Sequence, residues 1–188
     1  MANAMNMEYF FSRIRTSIFG GTLTQPQVDG INRIIEYKEE NYAKMSDAQL
    51  AYVLATITWE TAFHMVPVRE MGSEAYLRSK KYYPWVGEGL VQVTWEVNAK
   101  KFGATKPGDL LSWPIALKAA FLGMTKGMFT GKSLNDYISG SKVDFVNARR
   151  IINGTDRAKL IAGYANSYLD AIKQSRQTPK GASNVKSG

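Results

Sequence analysis

The stretch Ser46–Phe63, SDAQLAYVLATITWETAF, decides the fold because almost every position in it favours a buried helix. Ser46 and Gln49 form a capping-box pattern, so we expect the helix to begin after Ser46 and to run to about Phe63. On a wheel of roughly 100° per residue, apolar side chains surround the helix. The polar strip that remains holds mainly Gln49, Thr56 and Glu60. A helix that is apolar nearly all round lies at the centre of its fold.

Other helix signals flank this segment. Thr24, followed by a proline at the second position after it, predicts a helix that ends near Asn41. Pro114 begins another helix that continues into an apolar stretch. We also expect a short helix over residues 143–152 and a last helix capped by Asp156. A mainly α protein is therefore the expectation.

The middle of the chain, residues 69–101, departs from this pattern. Helical periodicity disappears there, and glycines and prolines interrupt the sequence. Leu90–Trp95 alternates, which predicts a short strand or extended segment with Gln92 and Thr94 on one face and Trp95 on the other. The predicted fold class is thus mainly α with a small β or extended element.

Length and composition predict one globular domain. The chain has 188 residues, of which 45% are hydrophobic, enough for a single core. We expect that domain to cover residues 1–174 and the polar, basic residues 175–188 to form a disordered tail. The sequence has no cysteine and one histidine, which excludes thiol catalysis and sites that need two imidazoles. We expect no metal and no other cofactor.

The chain is basic, with 24 Lys and Arg residues, 16 Asp and Glu residues and a net charge of +8. Such a charge attracts nucleic acid, anionic membranes or acidic wall polymers, although it can also serve solubility alone. DNA binding has only this charge in its favour, since no nucleic-acid-binding motif accompanies it, and we expect no nucleic-acid partner. The N-terminal segment lacks the apolar core of a secretory signal, which predicts a protein held in the cytosol.

Glu60 and Glu70 are the candidate acid–base residues. Glu60 lies at the inner end of the predicted buried helix, where burial raises the pKa of a carboxyl group and suits it to donate a proton. The alternative is a salt bridge from Glu60 to Arg69, Arg149 or Arg150. Glu70 follows in a loop, and two carboxylates on neighbouring elements are typical of a glycosidase. The alternative for Glu70 is a solvated acid paired with Arg69.

Four ordered blocks resemble the catalytic core of glycoside hydrolase family 19. They are Trp59–Thr61 (WET), Pro67–Gly72 (PVREMG), Tyr83–Trp95 (YPWVGEGLVQVTW) and Ile151–Thr155 (IINGT). In particular they resemble the phage branch of the family, the small lysozyme-like endolysins of phages that infect Gram-negative bacteria. The resemblance covers residues 10–172 and implies a lysozyme-like fold.

The resemblance also implies roles for individual residues. Glu60 takes the place of the general acid, Glu70 that of the residue that activates the attacking water, and Thr94 helps to hold this water. Gln92 lines the cleft, and Asn153 binds sugar. Because the family is inverting, no covalent intermediate is expected, and the two carboxyl groups should lie roughly 6.5–9.5 Å apart.

The activity implied by the resemblance is that of an endolysin, here expected to be monomeric. It would be a lysozyme that hydrolyses the β-1,4 bond between N-acetylmuramic acid and N-acetylglucosamine in bacterial peptidoglycan. It would stay in the host cytoplasm until a holin opens the inner membrane, and its basic tail would engage anionic lipopolysaccharide or wall polymer. The alternatives are a chitinase, as in the plant branch, and a non-catalytic wall-binding or virion protein that kept the fold.

Two positions depart from the family pattern. Trp59 replaces the His that usually precedes the acid, for which we expect altered packing. Glu88 replaces an Arg between two glycines, and we expect its side chain to turn outward and pair with Lys80 or Lys81. An inward Glu88 would instead raise the pKa of a neighbouring group. We expect His64 to be a capping or surface residue.

The aromatic residues of the middle segment are candidates for stacking against pyranose rings, whose faces are rich in C–H groups. These residues are Tyr82, Tyr83, Trp85 and Trp95. We expect Tyr83 or Trp85 in the cleft and Trp95 in the core. Asn153 could alternatively belong to a helix-ending turn.

Overall fold

The computed structural model describes residues 3–181. Its helices are α1 (Met7–Ser17), α2 (Gln25–Asn41), α3 (Asp47–Glu60), α4 (Glu74–Arg78), α5 (Glu96–Lys100), α6 (Trp113–Lys126), α7 (Leu134–Tyr137) and α8 (Ala158–Gln177), with 3₁₀ helices at Asp109–Leu111 and Asn147–Ile151. Strands β1 (Val68–Arg69) and β2 (Glu88–Gly89) pair antiparallel, as do β3 (Ile138–Ser139) and β4 (Lys142–Val143). The fold is therefore a single, mainly α domain with small β elements, as predicted. None of the helices in the described part combines the length and hydropathy needed to span a membrane.

Helix α3 is the central element, as its composition predicts. Every residue from Leu50 to Thr58 is buried, because α8 packs along one side of α3 while α2 and α6 contact others. Both capping-box bonds form, with Gln49 N donating to Ser46 Oγ (3.1 Å) and Ser46 N to Gln49 Oε1 (3.4 Å). The helix that carries Glu60 is thus enclosed by neighbouring helices and fixed at its start.

Helix α1 was missing from the sequence-based prediction. Asn6 caps it by accepting a hydrogen bond from Tyr9 N (3.1 Å), and its apolar residues Phe10 and Ile14 are fully buried. The helix packs against α8. Its apolar stripe is narrow, because charged and polar residues fill most of its remaining positions, and the pattern is therefore weak in the sequence.

The predicted end of α3 and the predicted start of α8 are wrong. Helix α3 stops at Glu60, short of Phe63, because Ala62 and Phe63 adopt left-handed φ values of 47° and 69°. Helix α8 has no side-chain cap from Asp156; it begins at Ala158, after Arg157 in a left-handed conformation. The backbone around Glu60 therefore turns sharply where a continuous helix was expected.

The short helix predicted over residues 143–152 is only partly present. Val143 pairs in β4, and only Asn147–Ile151 is helical, as a 3₁₀ turn. Asp144 Oδ1 accepts a hydrogen bond from Asn147 N (3.0 Å), which holds the turn that leads into the 3₁₀ helix. Arg149 and Ile151 of this turn are buried in the domain.

The short strand or extended segment predicted at Leu90–Trp95 is reduced to one residue, because only Val93 pairs there, through an isolated antiparallel bridge to Glu88. The strand pairs of this region are Val68 with Gly89 and Arg69 with Glu88, which precede the predicted segment. Beyond Gly89 the chain turns back, because Gln92 and Trp95 have φ values of 56° and 74°. Val91 and Val93 are buried as expected of the apolar face, but Trp95 is 47% exposed and does not belong to the core.

The boundary predicted between domain and tail is also wrong. Helix α8 continues past Gln174 to Gln177, since Ser175 is fully buried and Arg176 donates to Asp47 Oδ1 (2.8 Å) at the start of α3. Residues 175–177 therefore belong to the domain. The second half of the predicted basic tail, residues 182–188, lies outside the described residues.

Candidate active site

Glu60 lines a cleft of about 570 Å³ at the end of α3. The walls are the turn after α3, strand β1 and the loop that carries Gln92; lining residues include Trp59, Phe63, His64, Val68 and Gln92. Gly30 of α2 lets this turn pack closely, because a Cβ there would collide with the carbonyl oxygen of Met65. The sequence-based prediction that Glu60 borders a cleft at the end of a buried helix is confirmed.

Arg149 is the partner of Glu60. Its Nη1 donates to Glu60 Oε1 at 2.8 Å, and the side chains of Arg149 and Glu60 are 2% and 15% exposed. Arg149 Nε also donates to the carbonyl of Asp156 (2.8 Å), which holds the guanidinium in place. Within residues 3–181, Glu60 Oε2 has no hydrogen-bond partner. The salt bridge considered as an alternative for Glu60 is thus present, and it leaves one carboxyl oxygen for the cleft.

The pKa of Glu60 is raised from its ordinary value of 4.5. Burial is the main cause, because it penalises the charged carboxylate. The charge and hydrogen bond of Arg149 lower the pKa and offset burial only in part, while the nearby Asp156 raises it further. Salt bridging and a raised pKa, weighed as alternatives from the sequence, therefore occur together.

Glu70 is held by neighbouring donors and not by Arg69. Its Oε1 accepts a hydrogen bond from the hydroxyl of Tyr82 (2.8 Å) and its Oε2 from Gly87 N (2.9 Å). Arg69 instead donates to Glu74 (3.2 Å), so the expected pairing with Glu70 is absent. Burial and the bond to Glu70 raise the pKa of Tyr82 to about 12, which keeps its hydroxyl protonated as a donor.

Gln92 connects Glu70 to the cleft. The carboxylate of Glu70 is not part of the wall near Glu60, although its neighbours Arg69 and Met71 are. A Cβ on Gly87 would lie 3.1 Å from Gln92 Oε1 and 3.4 Å from Glu70 Oε2, so both side chains lie beside this glycine. Gln92 Nε2 donates to Val68 O (2.9 Å), and this bond fixes the orientation of the Gln92 carboxamide. Glu70 thus approaches the cleft beside Gln92.

A second cleft of about 370 Å³ adjoins the first, because Gln92 lines both. Thr94, Trp95, Ile152 and Asn153 also line it. Thr94 Oγ1 donates to the carbonyl of Gln92 (3.2 Å). The structure therefore brings Gln92, Thr94 and Asn153 together, as expected for residues of one binding groove.

Tyr83 and Trp85 do not take the cleft positions predicted for them. Within the described chain, both lie outside the two clefts: the Tyr83 hydroxyl donates to Glu74 (2.8 Å), and Trp85 packs against the core. Trp95, expected in the core, lines the second cleft instead. The positive φ of Trp95 turns its side chain away from the side that it would face in a regular strand. For residues other than glycine, no sequence pattern predicts such a conformation.

Glu88 is buried and does not pair with Lys80 or Lys81. Only 4% of it is exposed, and both carboxyl oxygens accept from Gly108 N at 2.9 Å. Burial raises the pKa of Glu88. The outward orientation fails because the β1–β2 pairing turns this side chain toward the loop before α6, where a backbone N–H is available. Glu88 therefore ties that loop to the β sheet.

Two further residues lie near the first cleft, His64 in its wall and Arg157 against Trp59. His64 is exposed and lines the first cleft. The guanidinium of Arg157 lies 5.5 Å from the ring centroid of Trp59, the residue before Glu60. No sequence pattern connects Arg157 with this cleft, because its position depends on the turn before α8. Among residues 3–181, no cluster of three or more His, Asp and Glu side chains could hold a metal ion.

The sequence matches no protein-family model and no curated protein.

Proposed function

We propose that this chain is a glycoside hydrolase, with Glu60 as the general acid and Glu70 as the general base. The observation that carries the proposal is the state of Glu60, a largely buried carboxyl group at the wall of a cleft, with a raised pKa and one oxygen that has no partner among residues 3–181. The raised pKa favours the protonated form that a general acid needs, and that proton can pass to the departing sugar oxygen.

Arg149 supports this role during the reaction. When Glu60 loses its proton, its carboxylate acquires full charge 2.8 Å from a buried guanidinium. The attraction between them is therefore stronger after proton transfer than before it, which lowers the free energy of the charged product state. Arg149 is a positioning residue, since it acts through Glu60 and need not contact substrate.

Glu70 would accept the proton of the attacking water. Two of its lone pairs are occupied by Tyr82 and Gly87, which leaves acceptor capacity on both oxygens. The carboxamide of Gln92 and the hydroxyl of Thr94 would help to hold the water beside it. This division of roles, with direct attack by water, corresponds to inversion at the sugar carbon.

We propose peptidoglycan as the substrate, cut between N-acetylmuramic acid and N-acetylglucosamine. Two adjoining clefts with aromatic and amide side chains suit an extended glycan. The net charge of +8 favours the anionic wall polymer over neutral chitin. Release from a host cytoplasm at lysis, and a contact between the basic tail and lipopolysaccharide, belong to the same proposal.

The test is Glu60→Gln assayed on purified peptidoglycan sacculi and on soluble chitin oligomers. We expect the rate of reducing-end release from sacculi to fall by roughly 100-fold or more, because the amide cannot donate the required proton. Glu40→Gln is the matched control, since Glu40 is an exposed acid on α2. Equal rates for the wild type and Glu60→Gln would contradict the proposal. Release from chitin alone would make the protein a chitinase.

A further inference from the structure

Trp95 is an exposed aromatic residue in a strained backbone conformation. It is 47% exposed, lines the second cleft and has φ 74° and ψ 140°. A bulky residue with positive φ costs free energy, and such outliers persist only where the surrounding structure holds them. Here Trp95 N donates to Trp85 O (3.0 Å), and Trp95 O accepts from Ala99 N (3.0 Å). These backbone bonds hold Trp95 in a conformation in which it lines the second cleft.

The indole is also linked to the candidate base. The ring of Tyr82 packs edge-on against Trp95, with centroids 5.7 Å apart and planes at 73°. The hydroxyl of the same Tyr82 donates to Glu70 at 2.8 Å. Tyr82 therefore contacts both the exposed ring of Trp95 and the carboxylate of Glu70. Only the Tyr82 side chain separates Trp95 from the candidate base.

We propose that Trp95 forms a sugar-binding subsite on which one N-acetylhexosamine ring of the glycan stacks. The exposed indole supplies a flat apolar surface for the C–H face of a pyranose. Asn153, which lines the same cleft, supplies a polar amide for the hydroxyl and acetamido substituents. The subsite rests on the proposed function for the identity of its ligand, and it names a residue that the sequence assigned to the core.

Binding is measured with the full chain carrying Glu60→Gln, so that the ligand is not consumed. The probe is a soluble tetrasaccharide of alternating N-acetylglucosamine and N-acetylmuramic acid. We expect Trp95→Ala to raise Kd roughly tenfold, since the apolar face that the sugar covers is lost. Trp95→Phe keeps part of that face and should raise Kd less.

Tyr76→Ala is the matched control, because Tyr76 is also 47% exposed but lines neither cleft. It should leave Kd unchanged. An unchanged Kd for Trp95→Ala, or an equal increase for Tyr76→Ala, would overturn the subsite.

Nuclear magnetic resonance of the Glu60→Gln protein gives a test that does not require a Trp95 variant to bind ligand. The indole N–H signal of Trp95, assigned by its loss in Trp95→Phe, should shift saturably as the tetrasaccharide is added. A signal that stays in place at saturation would overturn the subsite. If the tetrasaccharide binds at Trp95 but the wild type hydrolyses no glycan, only the proposed function is refuted. If the wild type hydrolyses glycan and Trp95→Ala does so at the same rate, only the subsite is refuted.

Discussion

At the level of single residues, the proposed function predicts that the Glu60–Arg149 pair sets the pH dependence of activity. Burial raises the pKa of Glu60, and Arg149 lowers it part of the way back. A general acid works only while protonated, so activity should fall as pH rises through the raised pKa. Removing the positive charge of Arg149 should raise the pKa of Glu60 further. The fall in activity at alkaline pH should then occur at higher pH.

Arg149→Met, followed by kcat/KM against pH on sacculi, tests this effect. We expect the alkaline limb to lie at higher pH than in the wild type, and Arg149→Lys, which keeps the charge, to move it less. Arg150→Met is the control, because Arg150 is exposed and does not contact Glu60. A limb that stays in place or moves to lower pH in Arg149→Met would show that Arg149 does not tune the acid.

Residues whose environment is local were predictable from the sequence. Glu60 and Ser46 belong to one helix, so helical spacing and capping chemistry place both correctly. Trp95 and Glu88 were misplaced, because their directions depend on left-handed backbone and on a β pairing of two residues per strand. Neither feature produces a periodic pattern long enough to recognise.

At the scale of elements, the capping box of α3 should contribute measurably to stability. Ser46→Ala removes the acceptor for Gln49 N, and we expect the free energy of unfolding to fall by about 1 kcal/mol. Urea denaturation monitored by circular dichroism measures it. Ser112→Ala is the matched control, since Ser112 precedes α6 without a side-chain capping bond. Equal losses in the two variants would contradict the capping role of Ser46.

The long helices α2, α3 and α6 were predictable because each carries its own start signal and an apolar face. The start of α8 was not, since a left-handed Arg157 precedes it and no side chain caps it. The short segments around the clefts were also missed. Their conformation is determined by hydrogen bonds from distant parts of the chain, such as the one that Gly108 N donates to the carboxylate of Glu88.

At the scale of the whole molecule, Arg176 joins both ends of the described chain to the central helix. Its guanidinium contacts Asp47 through two hydrogen bonds (3.0 and 2.8 Å) and also donates to the carbonyl of Asn3. Hydrogen bonds to charged, partly buried groups are worth more than exposed ones. The end of α8 is therefore a structural component of the domain that holds Glu60.

Arg176→Met should lower the free energy of unfolding by about 1.5–3 kcal/mol, because the Asp47 carboxylate loses its partner. Arg13→Met is the control: Arg13 also forms an ion pair with a helical aspartate, Asp170, but both side chains are about half exposed (45% and 51%). That variant should lose no more than about 1 kcal/mol. Comparable losses in urea denaturation would show that the Arg176 contact is no stronger than a surface pair.

The candidate site itself is assembled from segments far apart in the chain. Glu60 ends α3, Gln92 and Thr94 follow β2, Arg149 belongs to a 3₁₀ turn and Asn153 comes shortly after it. The sequence could name these residues individually, but only the packing of α3 against α8 and the β1–β2 pair explains how they meet around two adjoining clefts.

Mass spectrometry of the fragments released from purified sacculi in oxygen-18 water tests the central claim most directly. If Glu60 protonates the glycosidic oxygen while water attacks the sugar, the wild type should release fragments that end in reducing muramic acid and carry one oxygen-18 atom, and Glu60→Gln should release almost none. Anhydro ends without the label, freed peptides, or the absence of any fragments would contradict the account.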